Sequence, residues 1–289
     1  MLSLSECIPL MIVALAECVA IVTLNLCTII VFMRERNLRK RSTYLVINLA
    51  VIDMFVGGTA VSVLFFETGV FCNVWERYLT EYGTSTFIRT LHRLFPIGSI
   101  TNIASIALER IHATFFPFRH RVLKEWVYGL IIGVVWVTSG LASVTITLVH
   151  FEEIQHLAYT GFTFLSICLL IICVSYKSIV IKVGCGAQPQ HHGAASRERK
   201  LTMTLLIVTV VSLLFYLPFV FFLVFFISKS GIVFIHLDFA VVFLYYANSL
   251  VNPILYAIRM PEYRSAFLAL FRRRAHQQRQ VAVLPLRNM

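Results

Sequence analysis

Seven stretches of this chain are apolar for long enough to cross a lipid bilayer. They run over about 8–33, 43–66, 84–114, 126–149, 158–183, 200–227 and 236–258. A helical crossing needs about 20 such residues. Inside hydrocarbon every backbone polar group must be satisfied within its own segment, so each run is predicted to be an α-helix. The expected fold is therefore an all-α membrane protein, a seven-transmembrane helix bundle. Composition agrees. Of 289 residues, 58% are hydrophobic and 13% charged. One water-soluble core of that length could not hide so much apolar surface. A soluble enzyme and a disordered chain are both excluded, and no length remains for a second domain. The third run is the weakest, because it carries Arg89, His92 and Arg93, but Leu94 to Leu108 is apolar. The first run is followed by a basic cluster and reads as a signal anchor rather than a removed leader.

Charge orients the bundle. The net charge is +11, and 21 of the 25 basic residues fall on one side of the spans or in the tail. That side holds Arg34 to Arg41, Arg110, Arg119 to Lys124, Lys177 to Lys200, and Arg259 onward. The opposite loops hold Glu67, Glu76, Glu81, Glu152, Glu153 and Asp238, with Arg77 and Lys229. Positive charge marks the cytoplasmic side, so the N-terminus is expected outside the cell and the C-terminus in the cytoplasm. The cations lie in short clusters between apolar runs, an arrangement unlike a nucleic-acid surface. After the seventh span, Pro261 and Glu262 open a segment with Tyr263, Phe267, Leu268, Leu270 and Phe271, closed by Arg272 to Arg274. Residues 261–274 are predicted to form a short amphipathic cytoplasmic helix on the anionic inner leaflet. Residues 1–274 thus make one membrane domain and 275–289 a cytoplasmic tail. Gly184 to Ser196 is expected to be a mobile loop. Of the seven cysteines, Cys18, Cys27, Cys168 and Cys173 lie within apolar runs and read as packing residues.

The informative residues are the polar ones buried in this excess. An ionised side chain at mid-bilayer costs roughly 2.5–3.5 kcal/mol on insertion scales. Asp53 stands mid-span in Asn48-Leu-Ala-Val-Ile-Asp53. It is either a hydrogen-bonded packing residue or the hub of a shared polar centre. Asn25, Ser99, Asn248, Ser249 and Asn252 are placed to meet it, and such an oxygen-rich set suits a hard monovalent cation or a water network. Span seven ends in Asn252-Pro253-Ile-Leu-Tyr256, where Pro253 frees a carbonyl that Asn252 or water can satisfy. Span three ends in Glu109-Arg110, either a snorkelling interface pair or, with Glu198 across the bundle, a salt bridge joining two helix ends. Span six carries Phe215-Tyr216-Leu-Pro218, an aromatic pair just before a proline kink.

Together these residues resemble the rhodopsin-like (class A) family of G-protein-coupled receptors, over nearly the whole chain. The resemblance rests on Asn25, the Asn48-to-Asp53 motif, Glu109-Arg110, Trp136, Tyr176, Pro218 and Asn252-Pro253-x-x-Tyr256. It implies an extracellular ligand, nucleotide exchange on a heterotrimeric G protein, and arrestin and membrane lipids as further partners. Glu109, Arg110 and Glu198 would form the ionic lock and the G-protein contact. Tyr176, Phe215, Tyr216, Pro218, Asn252, Pro253 and Tyr256 would form the activation switch. Asp53, Ser99, Asn248, Ser249 and Asn252 would form a sodium pocket, with sodium a modulator and no cofactor required. The departures are specific. Ser85 stands where the family has the span-three cysteine of its outer disulfide, and residues 150–157 contain none, so that bridge cannot form. Cys7 and Cys72 are the outer pair that remains. Ile111 replaces a frequent tyrosine, Tyr216 a tryptophan, and Cys168 a proline.

Arg89, His92 and Arg93, at i, i+3 and i+4, lie on the part of span three where the family places its ligand. With Tyr216 and Tyr246 they are the candidate ligand-binding residues. The amine receptors have an aspartate at His92, so a protonated amine is disfavoured. Two arginines suit a small carboxylate or phosphate, or else pair with acids such as Glu17 or Glu152. Span seven has no lysine, which excludes retinal bound covalently as in visual pigments. A transporter or channel is the alternative, but internal repeats or paired broken helices are not evident. A membrane enzyme would need a convergent nucleophile, base or metal set, which the spans do not offer.

Overall fold

The computed structural model describes residues 4–35, 38, 41–71, 84–149, 154–185, 194–226 and 232–270. Its long helices are α1 (Leu4–Arg34), α2 (Thr43–Phe71), α3 (Thr84–Phe115), α5 (Glu125–Val149), α6 (Ile154–Cys185), α7 (Ala194–Phe226) and α8 (Ile232–Arg259). These are the seven predicted spans. A short helix, α4 (Pro117–Val122), joins α3 to α5, and α9 (261–270) follows α8. No strand occurs among the described residues.

α3 is the axial strut. It packs against α2, α4, α5, α6 and α7, while α1 closes the ring between α2 and α8. α1 and α2 approach closely at Gly57. A Cβ there would lie 2.9 Å from Ile21 Cγ2 and 3.0 Å from the Cys18 carbonyl. Glycine is what permits that backbone approach.

Five helices among the described residues are long and apolar enough to cross a membrane by themselves: Ser5–Arg34, Thr43–Ser62, Glu125–Thr147, Tyr159–Lys182 and Phe239–Arg259. α7 adds the shorter apolar stretch Met203–Phe219. α3 falls short on composition because it supplies much of the polar interior. The bundle is inside-out relative to a soluble protein. Val134, Val137 and Leu141 of α5 and Ile167, Leu170 and Val174 of α6 are exposed, whereas Asn25, Asp53, Ser99, Asn102, Arg110 and Asn248 are fully buried. An apolar exterior around a polar core is the arrangement a bilayer demands. The protein is a multi-pass membrane protein.

The connections differ from expectation in three places. α6 runs through Cys185 and α7 starts at Ala194, so both helices extend into the segment expected as a loop, of which 186–193 lies outside the described residues. The α3–α5 connection is helical. Proline disfavours a helical residue before it, and Phe116 leaves the helical region (φ −128°, ψ 59°), after which Pro117 starts α4 at a position that tolerates proline. The third concerns α9. Tyr263 is completely buried and Phe267 stacks on it at 6.0 Å, with Ala266 and Leu270 also packed on the core. Much of its apolar face is thus spent on the bundle, while Leu268 stays exposed. Phe271 and Arg272 to Arg274 lie outside the described residues. Cys7 is disulfide-bonded; Cys72, its expected partner, also lies outside them. Cys18, Cys27, Cys168 and Cys173 form no disulfide.

Candidate functional site

The buried polar residues form an axis along the bundle, from the end where α3 begins to the basic end where it finishes. At the first end, a hydrogen bond between His92 Nε2 and the Tyr246 hydroxyl ties α3 to α8. Their rings meet edge to face at 5.7 Å. Arg93 turns the other way, its Nη1 donating to Thr147 Oγ1 of α5 at 3.2 Å. Adjacent helical residues point about 100° apart, so the two reach different neighbours. The side chain of Arg89 lies outside the described ones. Tyr246 continues into an aromatic series: Tyr245 lies edge-on to it at 5.6 Å, stacks on Phe219 at 4.3 Å, and meets Tyr216 edge-on at 5.4 Å. Phe215 and Pro218 are partly buried on α7 beside Tyr216.

Below Tyr216 lies the Asp53 centre. Oδ1 of Asp53 accepts from Ser99 and Ser249, each at 2.8 Å, and Oδ2 accepts from Asn252 Nδ2 at 2.7 Å. Three helices, α2, α3 and α8, thereby converge on one carboxylate. Asn25 binds the Ser249 carbonyl at 2.9 Å and adds α1. Three further buried atoms, Asn248 Nδ2 and Oδ1 and Asn252 Oδ1, make no hydrogen bond of good geometry among the described residues. Buried polar atoms are normally satisfied, so these two asparagines have capacity for a further group. The donor set is one carboxylate with hydroxyl and amide oxygens, which suits a hard cation of low charge. Among the described residues no cluster of three acidic, histidine or cysteine side chains could hold a metal.

At the basic end, Glu109 and Arg110 form a two-pronged pair, with Arg110 Nε and Nη2 on the two carboxylate oxygens. Arg110 has no solvent exposure and Glu109 has 7%. A snorkelling pair would reach toward water; this one is enclosed. Glu198 belongs to α7, and its side chain lies outside the described ones. Tyr176 of α6 bonds Thr209 Oγ1 at 2.9 Å and the Leu205 carbonyl at 3.3 Å, both on α7. Tyr256 of α8 is buried, with a hydroxyl that has no hydrogen-bond partner among the described residues. Its ring lies 6.0 Å from both Phe32 and Tyr263.

Several contributors escaped sequence reasoning. Asn102 accepts from Asn48 Nδ2 and donates to the Leu45 carbonyl, both at 2.9 Å, while Trp136 Nε1 donates to Asn48 Oδ1 at 3.1 Å. That network pins α2, α3 and α5 together. The Tyr263 hydroxyl meets Thr28 Oγ1 at 2.7 Å, tying α9 to α1. Burial pushes the Tyr263 phenol up to about 12, so it stays protonated at neutral pH. His120 of α4 reaches Glu109 Oε1 at 2.6 Å. Arg41 Nη1 donates to the carbonyls of Arg121 and Leu123 at the end of α4. A polar residue within a span was the one available signal, and it applied to Asn102 and Thr28.

The family model described as 7 transmembrane receptor (rhodopsin family) matches residues 24–156 and 148–256. Melanopsin of Rattus norvegicus is 27% identical over 276 residues, covering 84% of this chain and 57% of that protein. Melanopsin of Felis catus is 25% identical, covering 84% and 56%. The histamine H2 receptor of Canis lupus familiaris is 26% identical over 274 residues, covering 82% and 72%. The chain thus spans somewhat more than half the length of the melanopsins it matches.

Proposed function

The chain belongs to the rhodopsin family of seven-transmembrane receptors, and from that premise we propose that it binds a small extracellular ligand and activates a heterotrimeric G protein. It sits in the plasma membrane with the start of α1 outside the cell and the basic end in the cytoplasm, a reading that the charge distribution supports. The observation that carries the reading is Arg110, a fully buried cation held by Glu109 at the cytoplasmic end of the central helix. A charge buried there is costly even when paired, so an arginine kept at this position points to a functional role. In the active state Arg110 leaves Glu109 and contacts the G protein, while Tyr176 and Tyr256 turn inward. Arrestin recognises the same opened end.

The ligand binds where α3, α5, α7 and α8 face the outside, on His92 and Tyr246, with Tyr216 at its floor and Arg89 and Arg93 at its rim. A neutral or anionic molecule fits this lining better than an amine. The name of the canine relative points to histamine, a cation, and an imidazole with two arginines offers it no counter-charge. Covalent retinal attachment through α8 is not part of the proposal, since Ile232–Arg259 contains no lysine. Asp53, Ser99, Asn248, Ser249 and Asn252 would hold sodium, whose charge would favour the resting arrangement of α2, α3 and α8. The buried asparagine atoms with unused capacity support that assignment.

The test is a library of small carboxylates, phosphates, amines and neutral compounds, applied to cells expressing the chain, with G-protein dissociation as readout. The proposal expects a response to a neutral or acidic compound that Arg93→Ala weakens far more for acids. A response confined to amines would overturn the ligand assignment. Flux of a solute across vesicles, with no G-protein response, would favour a transporter.

A further inference from the structure

Resting on the receptor reading above, we infer that Glu17 of α1 is a ligand-recognition residue, which takes a neutral nitrogen donor such as a carboxamide N–H from a molecule entering between α1, α2 and α8. Glu17 stands on the inward stripe of α1. Ala14, Cys18, Ile21 and Asn25 share that stripe at helical spacing, each at 0–3% exposure. The opposite face, with Ile12, Leu15 and Val19, is exposed. Glu17 itself is 7% exposed, and its Oε1 is buried without a hydrogen-bond partner among the described residues. The ion pairs between described residues fall on Glu109, at the other end of the bundle. An acid within a span normally faces the bundle interior and pairs there. Glu17 meets the first condition and not the second.

Its depth matches that of the outer site. Asn25 bonds the Ser249 carbonyl beside Asp53, and the eight residues back to Glu17 rise about 12 Å outward from that level. On α3, the seven residues from Ser99 back to His92 rise about 10 Å outward from the same centre. Glu17 and His92 thus occupy the same outer third of the bundle. Tyr246 joins the two sides. Its hydroxyl is bonded to His92, and its ring belongs to the cluster that holds Cys18 and Ile21 of α1 with Val56 and Ala60 of α2. Val242 of α8 packs on that cluster. The walls that α2 and α8 supply beside Glu17 are therefore apolar, and the tyrosine hydroxyl is engaged elsewhere. The partner of Glu17 is then a molecule that arrives from the outer end.

The surroundings select the class of that molecule. A carboxyl accepts hydrogen bonds whether it is ionised or neutral, so its partner must bring an N–H or O–H donor. A cationic donor would carry a second charge out of water between apolar walls, and Arg93, on the same turn of α3 as His92, would repel it. A neutral donor meets neither cost. A primary carboxamide supplies two N–H groups, which match the two oxygens of the carboxyl. Without a ligand, the unmet carboxyl is a standing cost to the fold. Residues kept for recognition rather than stability have that signature.

The experiment uses the full chain in lipid nanodiscs and a set of small primary carboxamides, each with its N,N-dimethyl counterpart. Binding is read by the shift of the thermal midpoint, which needs no G protein. The wild type should bind at least one carboxamide and lose it on N-methylation. Glu17→Met keeps the length of the side chain without its oxygens, and should weaken that carboxamide about tenfold to a hundredfold. The same variant should raise the midpoint of the ligand-free protein by a few degrees, whereas a carboxyl that serves only the fold would lower it. Glu17→Gln retains an acceptor oxygen and should keep the affinity within about fivefold. A lower ligand-free midpoint in Glu17→Met, equal carboxamide affinity in wild type and Glu17→Met, or no carboxamide bound by the wild type would overturn the inference. So would a loss in Glu17→Gln as large as in Glu17→Met, the mark of a cation. Carboxamide binding that depends on Glu17 but drives nucleotide exchange on no G protein would retain the site and refute the receptor reading instead.

Discussion

Replacing Glu109 by glutamine tests the resting state where it is most concentrated. Glu109 is 7% exposed and its two oxygens receive Nε and Nη2 of Arg110. Oε1 also takes His120 at 2.6 Å and Tyr128 at 3.3 Å. Glutamine has nearly the same shape but no charge and one acceptor oxygen. One of the two Arg110 contacts then becomes donor against donor, and the remaining one loses its charge assistance. A hydrogen bond to a charged group is worth about 1.5–3 kcal/mol net, so the resting arrangement should lose about that much. At about 1.4 kcal/mol per tenfold change, the equilibrium moves toward the open state by about ten- to a hundredfold. Part of the loss falls on overall stability, because Arg110 remains buried. The assay is ligand-independent nucleotide exchange on a purified G protein, normalised to folded receptor. Glu109→Gln should raise the basal rate at least severalfold and lower the thermal midpoint. A basal rate unchanged or reduced in folded protein would refute the argument that this pair holds the resting state.

Other expectations follow from the same geometry. Asp53→Asn should abolish sodium sensitivity of ligand binding, since it removes the carboxylate on which the centre converges; retained sensitivity in a binding assay would place the ion elsewhere. Gly57→Ala puts a methyl group 2.9 Å from Ile21 Cγ2 and should destabilise the α1–α2 contact by about 1–3 kcal/mol, read as a lower thermal midpoint in nanodiscs. Tyr263→Phe removes the 2.7 Å bond to Thr28 with no change of packing. It should loosen α9 by about 0.5–1.5 kcal/mol, seen as faster hydrogen exchange over residues 261–270, and an unchanged rate would deny the bond its anchoring role.

What the sequence disclosed and what it withheld divide along a physical line. The spans were legible because hydrocarbon leaves the backbone one regular structure and the side chains one composition. Asp53, Arg110 and Asn252 were legible because a polar residue in an apolar run is costly and so carries information. Residues outside the spans carry no such penalty, and there the helix from residue 261 was legible but its packing and α4 were not. α4 has six residues and too little length for a period, so its helix and the contact of His120 with Glu109 were not foreseen. Tyr263 and Thr28 lie 235 positions apart. The apolar face of α9 was read as a lipid-facing surface because nothing in its spacing distinguishes a membrane from the inner ends of α1 and α8. Asn102 was missed although it obeys the rule that found Asp53. At the ligand end, the grouping of His92 with Arg93 gave a shared face, but each side chain satisfies itself on a different neighbour, Tyr246 for one and Thr147 for the other.

The central claim is that this bundle passes a signal through Arg110 to a G protein. It is tested most directly by guanine-nucleotide exchange on a panel of purified heterotrimeric G proteins, with the chain and its Arg110→Ala variant in nanodiscs. The account predicts that the wild type accelerates exchange on at least one G protein, and that Glu109→Gln accelerates it further. Arg110→Ala, folded to the same extent, should remove the acceleration. Acceleration that survives the loss of Arg110 would contradict the account, as would its absence from every G protein for both wild type and Glu109→Gln.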